Sequence, residues 1–335
     1  MRGNNTMRID ADCSLWIDFT SEEDLPVISQ LIDGKPYIIL GGGSNVLFTA
    51  DYNGVVLHSS ILDINVAFNN DKVYLKVGSG VNMDTLIEQC CKAGYWGLEN
   101  LSGIPGEAGA SAVQNIGAYG VEAKDIIYEV RCYDLLQNKF VTFNNAQCEF
   151  DYRWSMFKRD DTRYRYAITY VTFELSQKAE PKLEYSNLKE KVLSTTDGFS
   201  PMLVRQAILD MRNAKLPAVD EIGSAGSFFK NPVVPQDSYK RVCDISHKKW
   251  GIDCHVPNYL LPENKVKIPA AWLIEKVGLK GYVHGNAAVW HLQPLVLVNH
   301  TGKASADEIL ELEAIVKNRV FDEFGIILEA EVDHV

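Results

Sequence analysis

The stretch Tyr37-Ile38-Ile39-Leu40-Gly41-Gly42-Gly43-Ser44-Asn45-Val46-Leu47 carries the first reading of the fold. Four apolar residues in a row read as a buried strand, and that strand runs straight into three glycines. Consecutive glycines let backbone approach a ligand closely and aim N–H groups at an anion. Ser44 and Asn45 add side-chain donors. A flexible turn between two strands would look the same, and the loop alone does not separate the two readings. No Gly-Lys-Ser/Thr follows, so the loop is not a P-loop. The third glycine of a dinucleotide fingerprint would fall at position 46, which is Val46. The next residues, Val46-Leu47-Phe48-Thr49, read as extended rather than helical.

Two further glycine-rich stretches lie downstream. Gly78-Ser79-Gly80 sits between a half-buried strand over 73–77 and a helix, yet its third glycine position is Met83. The helix places Met83, Leu86, Ile87 and Cys90 at i, i+3, i+4 and i+7, with Asn82 as its cap and Gly94 as its stop. The third stretch runs over 103–111 and 114–120. So many small residues are wasteful in a core and suit backbone laid against a flat or phosphorylated ligand.

Working outward, a strand is expected at 16–19, then a helix capped by Thr20 or Ser21 with Glu23 and Asp24 in its first turn. Val55-Val56-Leu57 closes this βα-type unit near residue 66. Strands are expected at 129–134, 139–142 and 166–175, and a helix at 201–212 with Val204, Ala207, Ile208 and Met211 on one face. The stretch 216–226 reads as a loop and a boundary. Beyond it come a helix at 270–277 stopped by Gly278, a strand at 295–298, and a long helix from the capping box Ser305-Ala306-Asp307-Glu308 to about Phe321. The chain closes in an alternating strand: Ile326, Leu328, Ala330 and Val332 face one way, Ile327, Glu329 and Glu331 the other. Short strands among scattered helices point to an α+β fold.

Composition excludes several classes. A length of 335 residues points to two or three domains. The net charge of −11 argues against nucleic-acid binding, which needs clustered Lys and Arg. No apolar run approaches the roughly 18–20 residues of a membrane span, and the polar start Met1-Arg2-Gly3-Asn4-Asn5-Thr6 lacks the core of a signal peptide. Seven cysteines, an odd number with Cys90 and Cys91 adjacent, fit reduced thiols in a cytoplasm. Cys243, His247, Cys254 and His255 have no standard zinc spacing, so no metal is expected.

At this point the motifs resemble the UDP-N-acetylenolpyruvoylglucosamine reductase (MurB) family. The matching segments are LGGGSNVL (40–47), GLENL (97–101), IPG (104–106), QNIGAYG (114–120), Tyr152-Arg153 with Met156-Phe157-Lys158, Met211-Arg212 with Lys215-Leu216-Pro217, GSFFKNP (226–232), Ala287-Ala288-Val289 with Gln293, and LEAEV (328–332). They stand in family order across nearly the whole chain. The PKLEYSNL stretch (181–188) resembles the tyrosine loop of the family's longer type.

The resemblance implies an FAD-dependent oxidoreductase with a two-part FAD-binding region (PCMH-type, VAO-like) and a C-terminal α+β substrate-binding domain. The expected division is 1–66 and 67–216 for FAD, joined by the last strand at about 324–335, with 217–323 for substrate. Non-covalent FAD is reduced by NADPH, a hydride passes from flavin N5 to C3 of the enolpyruvyl ether of the UDP-sugar, and a proton reaches C2. By the same resemblance FAD meets Gly41, Gly42, Gly43, Ser44, Asn45, Val46, Leu47, Ile104, Pro105, Gly106, Ser111, Asn115, Gly117, Ala118 and Tyr119. Ser227 matches the proton donor, Arg153 the carboxylate-polarising arginine and Glu331 the third catalytic residue. Tyr185, Arg212, Lys215, Asn231, Tyr259 and Gln293 match substrate or NADPH contacts. A cytoplasmic monomer without nucleic-acid or membrane partners is expected.

Alternation independently supports Glu331, which faces away from the apolar positions; Glu329 lies one strand period away on the same face, and the motif register favours Glu331. Gly42 stands where relatives often carry a charged residue. The chain stops four residues after Glu331, which leaves open how the last strand is covered. Two other readings remain: an FAD-linked oxidase of the same flavin-binding fold, and a nucleotide-sugar binding module with a dead flavin site. An oxidase has no need of a proton donor, and a binding module would purify colourless.

Overall fold

A computed structural model describes residues 1–335 apart from residues 186 and 194–198. Ser186 of the expected tyrosine loop thus lies outside the described residues. Backbone contacts group the chain into two compact units. The larger comprises Cys13–Gly43 and Tyr52–Arg212, and the smaller Met1–Asp12, Ser44–Asp51 and Asn213–Val335.

The larger unit begins with a three-stranded parallel sheet in which Tyr52–Ser59 lies between Cys13–Phe19 and Tyr37–Leu40. Its apolar side buries Phe19, Leu25, Ile28 and Leu57 in one core. Full burial of each such side chain contributes roughly 1.5–3 kcal/mol. The helix expected after Ser21 divides in two. Ser21 caps a 3-10 turn, Glu22–Asp24, with its N–H donating to Asp24 Oδ2, and the α-helix proper is Leu25–Leu31. Pro26 sits in the first turn, where its missing N–H costs nothing.

A five-stranded antiparallel sheet follows, in the order Lys139–Asn144, Ile127–Asp134, Tyr166–Ser176, Lys72–Gly78, Ile64–Asn69. The helix Met83–Lys92 starts as expected at Asn82, whose side chain accepts the Thr85 N–H. It shares a core with the helix Ala108–Gln114 and the sheet. That second helix corrects the reading of the 103–111 stretch. Ala108, Ser111 and Ala112 are buried, and a Cβ at Gly109 would lie 2.8 Å from Ser79 Cβ. Part of the small-residue run therefore serves close packing of helix on strand rather than ligand contact. The Gly78-Ser79-Gly80 turn is packed in the same way: a Cβ at Gly78 or Gly80 would come within 2.3 Å of the carbonyls of Ile61 or Ser59. The helix Pro201–Asn213 buries Val204, Ala207, Ile208 and Met211, as its periodicity predicts.

In the smaller unit a four-stranded sheet runs in the order Gly223–Ser227, Val296–Asn299, Ala287–Val289, Val283–His284. Gly223–Ser227 corrects the loop expected there. The sequence GSAGS carries no apolar alternation, and only pairing with Val296–Asn299 makes it a strand. The helices Gln236–Trp250, Ala270–Lys276 and Ala306–Phe324 enclose a core with Met7, Leu47, Phe228 and Phe229. Ser305 and Glu308 form the expected capping box, and the helix ends at Gly325 in the left-handed region.

The closing strand also needs correction. Burial does alternate, with Ile326 and Leu328 inside and Ile327 71% exposed. However, among the described residues 326–332 forms one isolated bridge, Ala330 with Phe229. Its neighbour is the short turn after Ser227, which offers no longer ladder. The regular strand is Asp333–His334, parallel to Val46–Leu47. Thr49 then donates both its N–H and its hydroxyl to the Val335 carbonyl, so the chain end is tied down.

Candidate active site

Within the smaller unit, Ser227 and Glu331 belong to neighbouring segments. Gly226, at φ +71°, turns the chain where Ser227 follows. Phe228 and Phe229 are then wholly buried and anchor the turn. The Glu331 N–H donates to the Phe228 carbonyl at 2.8 Å, and the Lys230 N–H donates to the Glu329 carbonyl at 2.9 Å. The Glu329 side chain is 73% exposed and meets Lys230 Nζ at 3.5 Å, an exposed pair of little energetic weight. Glu331, half-buried, therefore differs in environment from Glu329 two residues earlier.

Asn45 joins this arrangement. Its Nδ2 donates to the Glu331 carbonyl at 3.1 Å, and its own carbonyl accepts the Asp333 N–H at 3.0 Å. The sequence reading treated Asn45 as a ligand donor and missed this clasp; only the pairing of chain ends distant in sequence reveals it. Leu47 lies in the core with no exposure, so its side chain faces protein, whereas Val46 is half-buried.

Other expected residues of this unit take structural contacts as well. Asn231 Oδ1 accepts the Ala270 N–H at 2.9 Å and so satisfies the start of the helix Ala270–Lys276. The Lys215 carbonyl accepts Trp290 Nε1. Gln293 Oε1 is buried without a hydrogen-bond partner among the described residues, a costly state that a ligand donor would relieve. Tyr259 is half exposed, with Lys267 over its ring.

The larger unit holds the remaining residues. Arg153 has φ +54°, an uncommon conformation for a long side chain and one that turns tend to impose. Its Nη2 donates to the Gly117 carbonyl at 2.9 Å. A Cβ at Gly117 would approach Arg153 Nη1 to 3.1 Å. Gly117–Ala118 and Val121–Glu122 form a hairpin closed by Tyr119 and Gly120, both at positive φ, as tight hairpin turns require. The Tyr119 ring meets Tyr185 edge-on at 5.6 Å. Asn100, fully buried and given no role in the sequence reading, donates through Nδ2 to the carbonyls of Tyr119 and Lys182 and so ties the hairpin to the segment before Tyr185.

Ser111 and Asn115 are buried and bonded inward, Ser111 to the Ala108 carbonyl and Asn115 to Glu122, Asp151 and Lys124. Asp84 accepts from Arg205 and from the Gly103 N–H, which fixes the turn before Ile104-Pro105-Gly106. Burial opposes the Asp84 charge, yet the Arg205 and Gly103 hydrogen bonds outweigh it and hold the carboxyl below its ordinary range.

These residues fit a dinucleotide cofactor. A Cβ at Gly41 would lie 3.1 Å from Ala110 Cβ and 3.3 Å from Glu107 Oε2, so this loop meets its neighbours as bare backbone. Arg212 Nε would lie 2.9 Å from a Cβ at Gly103, beside the IPG turn. Arg212 is half-buried and has no ion pair among the described residues; burial pulls its pKa down. A cation partly withdrawn from water favours an anionic ligand.

Comparison with known proteins identifies the architecture. Residues 217–335 match the family model for the UDP-N-acetylenolpyruvoylglucosamine reductase C-terminal domain, and 15–141 match the FAD binding domain. The UDP-N-acetylenolpyruvoylglucosamine reductase of Bacteroides fragilis strain YCH46 is 38% identical over 334 residues, covering 99% of this chain and 97% of that protein.

The chain belongs to the UDP-N-acetylenolpyruvoylglucosamine reductase family.

The reductase of Neisseria meningitidis serogroup A is 42% identical, with 98% of this chain and 93% of that protein covered. The crystal structure of the MurB reductase from Thermus caldophilus, 22% identical, superposes with a TM-score of 0.67 and covers 99% of this chain and 96% of that one. That last likeness concerns the fold. Among the described residues no helix is long and apolar enough to cross a membrane, and no group of three His, Cys, Asp or Glu side chains is arranged to hold a metal ion.

Proposed function

We propose that the chain reduces UDP-N-acetylglucosamine enolpyruvate to UDP-N-acetylmuramate, with NADPH as reductant, in peptidoglycan precursor synthesis. Cell-wall growth, cell shape and division depend on that step. The observation that carries the reading is the pairing of the Ser227 turn with the Glu331 segment, where Asn45 clasps the Glu331 carbonyl, in a chain of this family. FAD, when bound, would supply the hydride transfer from NADPH to C3 of the enolpyruvyl ether.

The chain's own residues bind, orient and move a proton. Gly41–Asn45, Ile104–Gly106 and Gly117–Tyr119 hold the cofactor in close contact with their backbone. Arg153, with a planar fork of donors, binds the substrate carboxylate and stabilises the charge that develops on it. Ser227 delivers the proton to C2; a free serine is a weak acid, so that developing charge and neighbouring cations must assist it. Glu331 orients substrate and proton beside Ser227. Arg212, Lys215, Asn231, Tyr259 and Gln293 hold the nucleotide, with Tyr185 covering it. We assign 1–66 and 67–216 to FAD and 217–323 to substrate, and infer a cytoplasmic monomer without nucleic-acid or membrane partners.

Stopped-flow half-reactions test the assignment. Ser227→Ala should leave flavin reduction by NADPH near normal and slow reoxidation by the UDP-sugar on the order of 10²–10⁴-fold, the span of a lost general acid. Equal slowing of both halves would make Ser227 structural.

A further inference from the structure

Beside the glycine turn of the larger unit lies a chain of three ionisable side chains that the reaction does not use. In the parallel sheet His58 stands opposite Asp18 on one neighbouring strand and opposite Leu40 on the other. Leu40 is the last residue before Gly41. His58 Nδ1 lies 2.8 Å from Asp18 Oδ1, and Nε2 lies 3.1 Å from Glu107 Oε1. Trp16 stacks on the ring at 5.6 Å and donates its Nε1–H to Asp18 Oδ2 at 2.9 Å, which fixes the far end.

Glu107 is held by its backbone: it bridges Asn82, and its carbonyl accepts the Ser111 N–H. Its carboxylate points at the glycines. A Cβ at Gly41 would lie 3.3 Å from Oε2, and one at Gly42 would lie 3.6 Å from Oε1. A carboxylate in that place repels any anion the turn receives, unless a cation compensates it. His58 is the side chain bonded to Glu107 that can supply one.

We propose that His58 is a positioning residue for the cofactor: as imidazolium it neutralises Glu107 beneath Gly41–Gly42 and permits FAD to bind, and on losing its proton it leaves Glu107 to repel the diphosphate. This rests on the reading that the glycine turn receives the FAD diphosphate. Asp18 and Glu107 are the charged groups facing the ring; Leu40 and Trp16 bring no charge. The hydrogen bond to Glu107, then that to Asp18, raises the His58 pKa above its ordinary 6.5 despite the opposing effect of burial. FAD affinity is therefore full at low pH and falls as pH rises beyond 6.5 through the raised value. One uncompensated charge beside the turn, at the effective dielectric of about 20 typical near a protein surface, weakens an anion's binding at least several-fold.

The test is FAD binding to apoprotein, followed by fluorescence between pH 6 and 9, with thermal melts to confirm folding. The wild-type Kd should rise roughly three- to tenfold or more across that range. Glu107→Gln should bind FAD tightly without the slope. His58→Gln, which keeps a neutral donor toward Glu107, should bind weakly and equally without it. A flat wild-type profile, or a slope retained in Glu107→Gln, would overturn the proposal. Gly43→Ala, at a site with φ +61°, separates the underlying reading. If this variant folds and FAD affinity is unchanged, the turn does not hold the cofactor. If its affinity falls while Glu107→Gln and His58→Gln titrate like wild type, only the proton bridge fails.

Discussion

Glu331 and Glu329 lie two residues apart, so both fall on the same side of an alternating segment, and their contacts distinguish them. The Glu329 carboxylate is largely solvated beside Lys230. The Glu331 backbone is bonded on both sides, its N–H to the Phe228 carbonyl and its carbonyl to Asn45. In the proposed reaction a charge held at the Ser227 turn contributes transition-state stabilisation, whereas a solvated charge does not. Glu331→Gln should slow flavin reoxidation by the UDP-sugar on the order of 10²-fold or more, while Glu329→Gln changes it little. Single-turnover kinetics of the two variants decide the matter, and similar losses would refute the distinction.

At the scale of elements, the helix Ala306–Phe324 and the strand Asp333–His334 are joined by Glu313. This buried carboxylate meets Lys317 Nζ at 2.5 Å and His334 Nε2 at 3.0 Å. Burial pushes its pKa up, but the hydrogen bonds from His334 and Lys317 prevail and leave it below its ordinary value of 4.5. A carboxyl depressed on folding contributes stability above its unfolded pKa and loses it as pH falls through the folded one. Glu313→Gln should therefore lower stability by about 1–2 kcal/mol near neutral pH, discounted for the half-exposed partners. The difference from wild type should shrink below pH 4.5. Denaturant unfolding at pH 7 and pH 3.5 measures both, and a constant difference would mean that the contact acts through packing alone.

For the whole molecule, the cofactor is a stabilising ligand as well as a reagent. A ligand that binds only the folded state adds about 2.7 kcal/mol when present at 100 times its Kd. Calorimetry with added FAD should show the transition of the larger unit move upward by several degrees, and the purified protein should be yellow. A colourless protein whose melt ignores FAD would favour a binding module without flavin.

The sequence by itself determined the class and much of the element plan. Amphipathic helices such as Met83–Lys92, capped by Asn82, and Ala306–Phe324, capped by Ser305, are legible because their signals are local in the chain. The catalytic candidates were legible through motifs rather than through periodicity. Only the tertiary structure made Gly223–Ser227 a strand, since pairing with Val296–Asn299 supplies what its five small residues lack. It also showed 326–332 to be extended chain with one bridge, and turned part of the 103–111 run into a packed helix. The same holds for Gly41–Asn45. Composition marks it as a turn that admits close approach, but its neighbours come from distant segments, with Glu107 and His58 beside Gly41 and Gly42 and Glu331 bonded to Asn45. Local sequence encodes propensity; which charge lies against which backbone is decided when segments far apart in the chain meet.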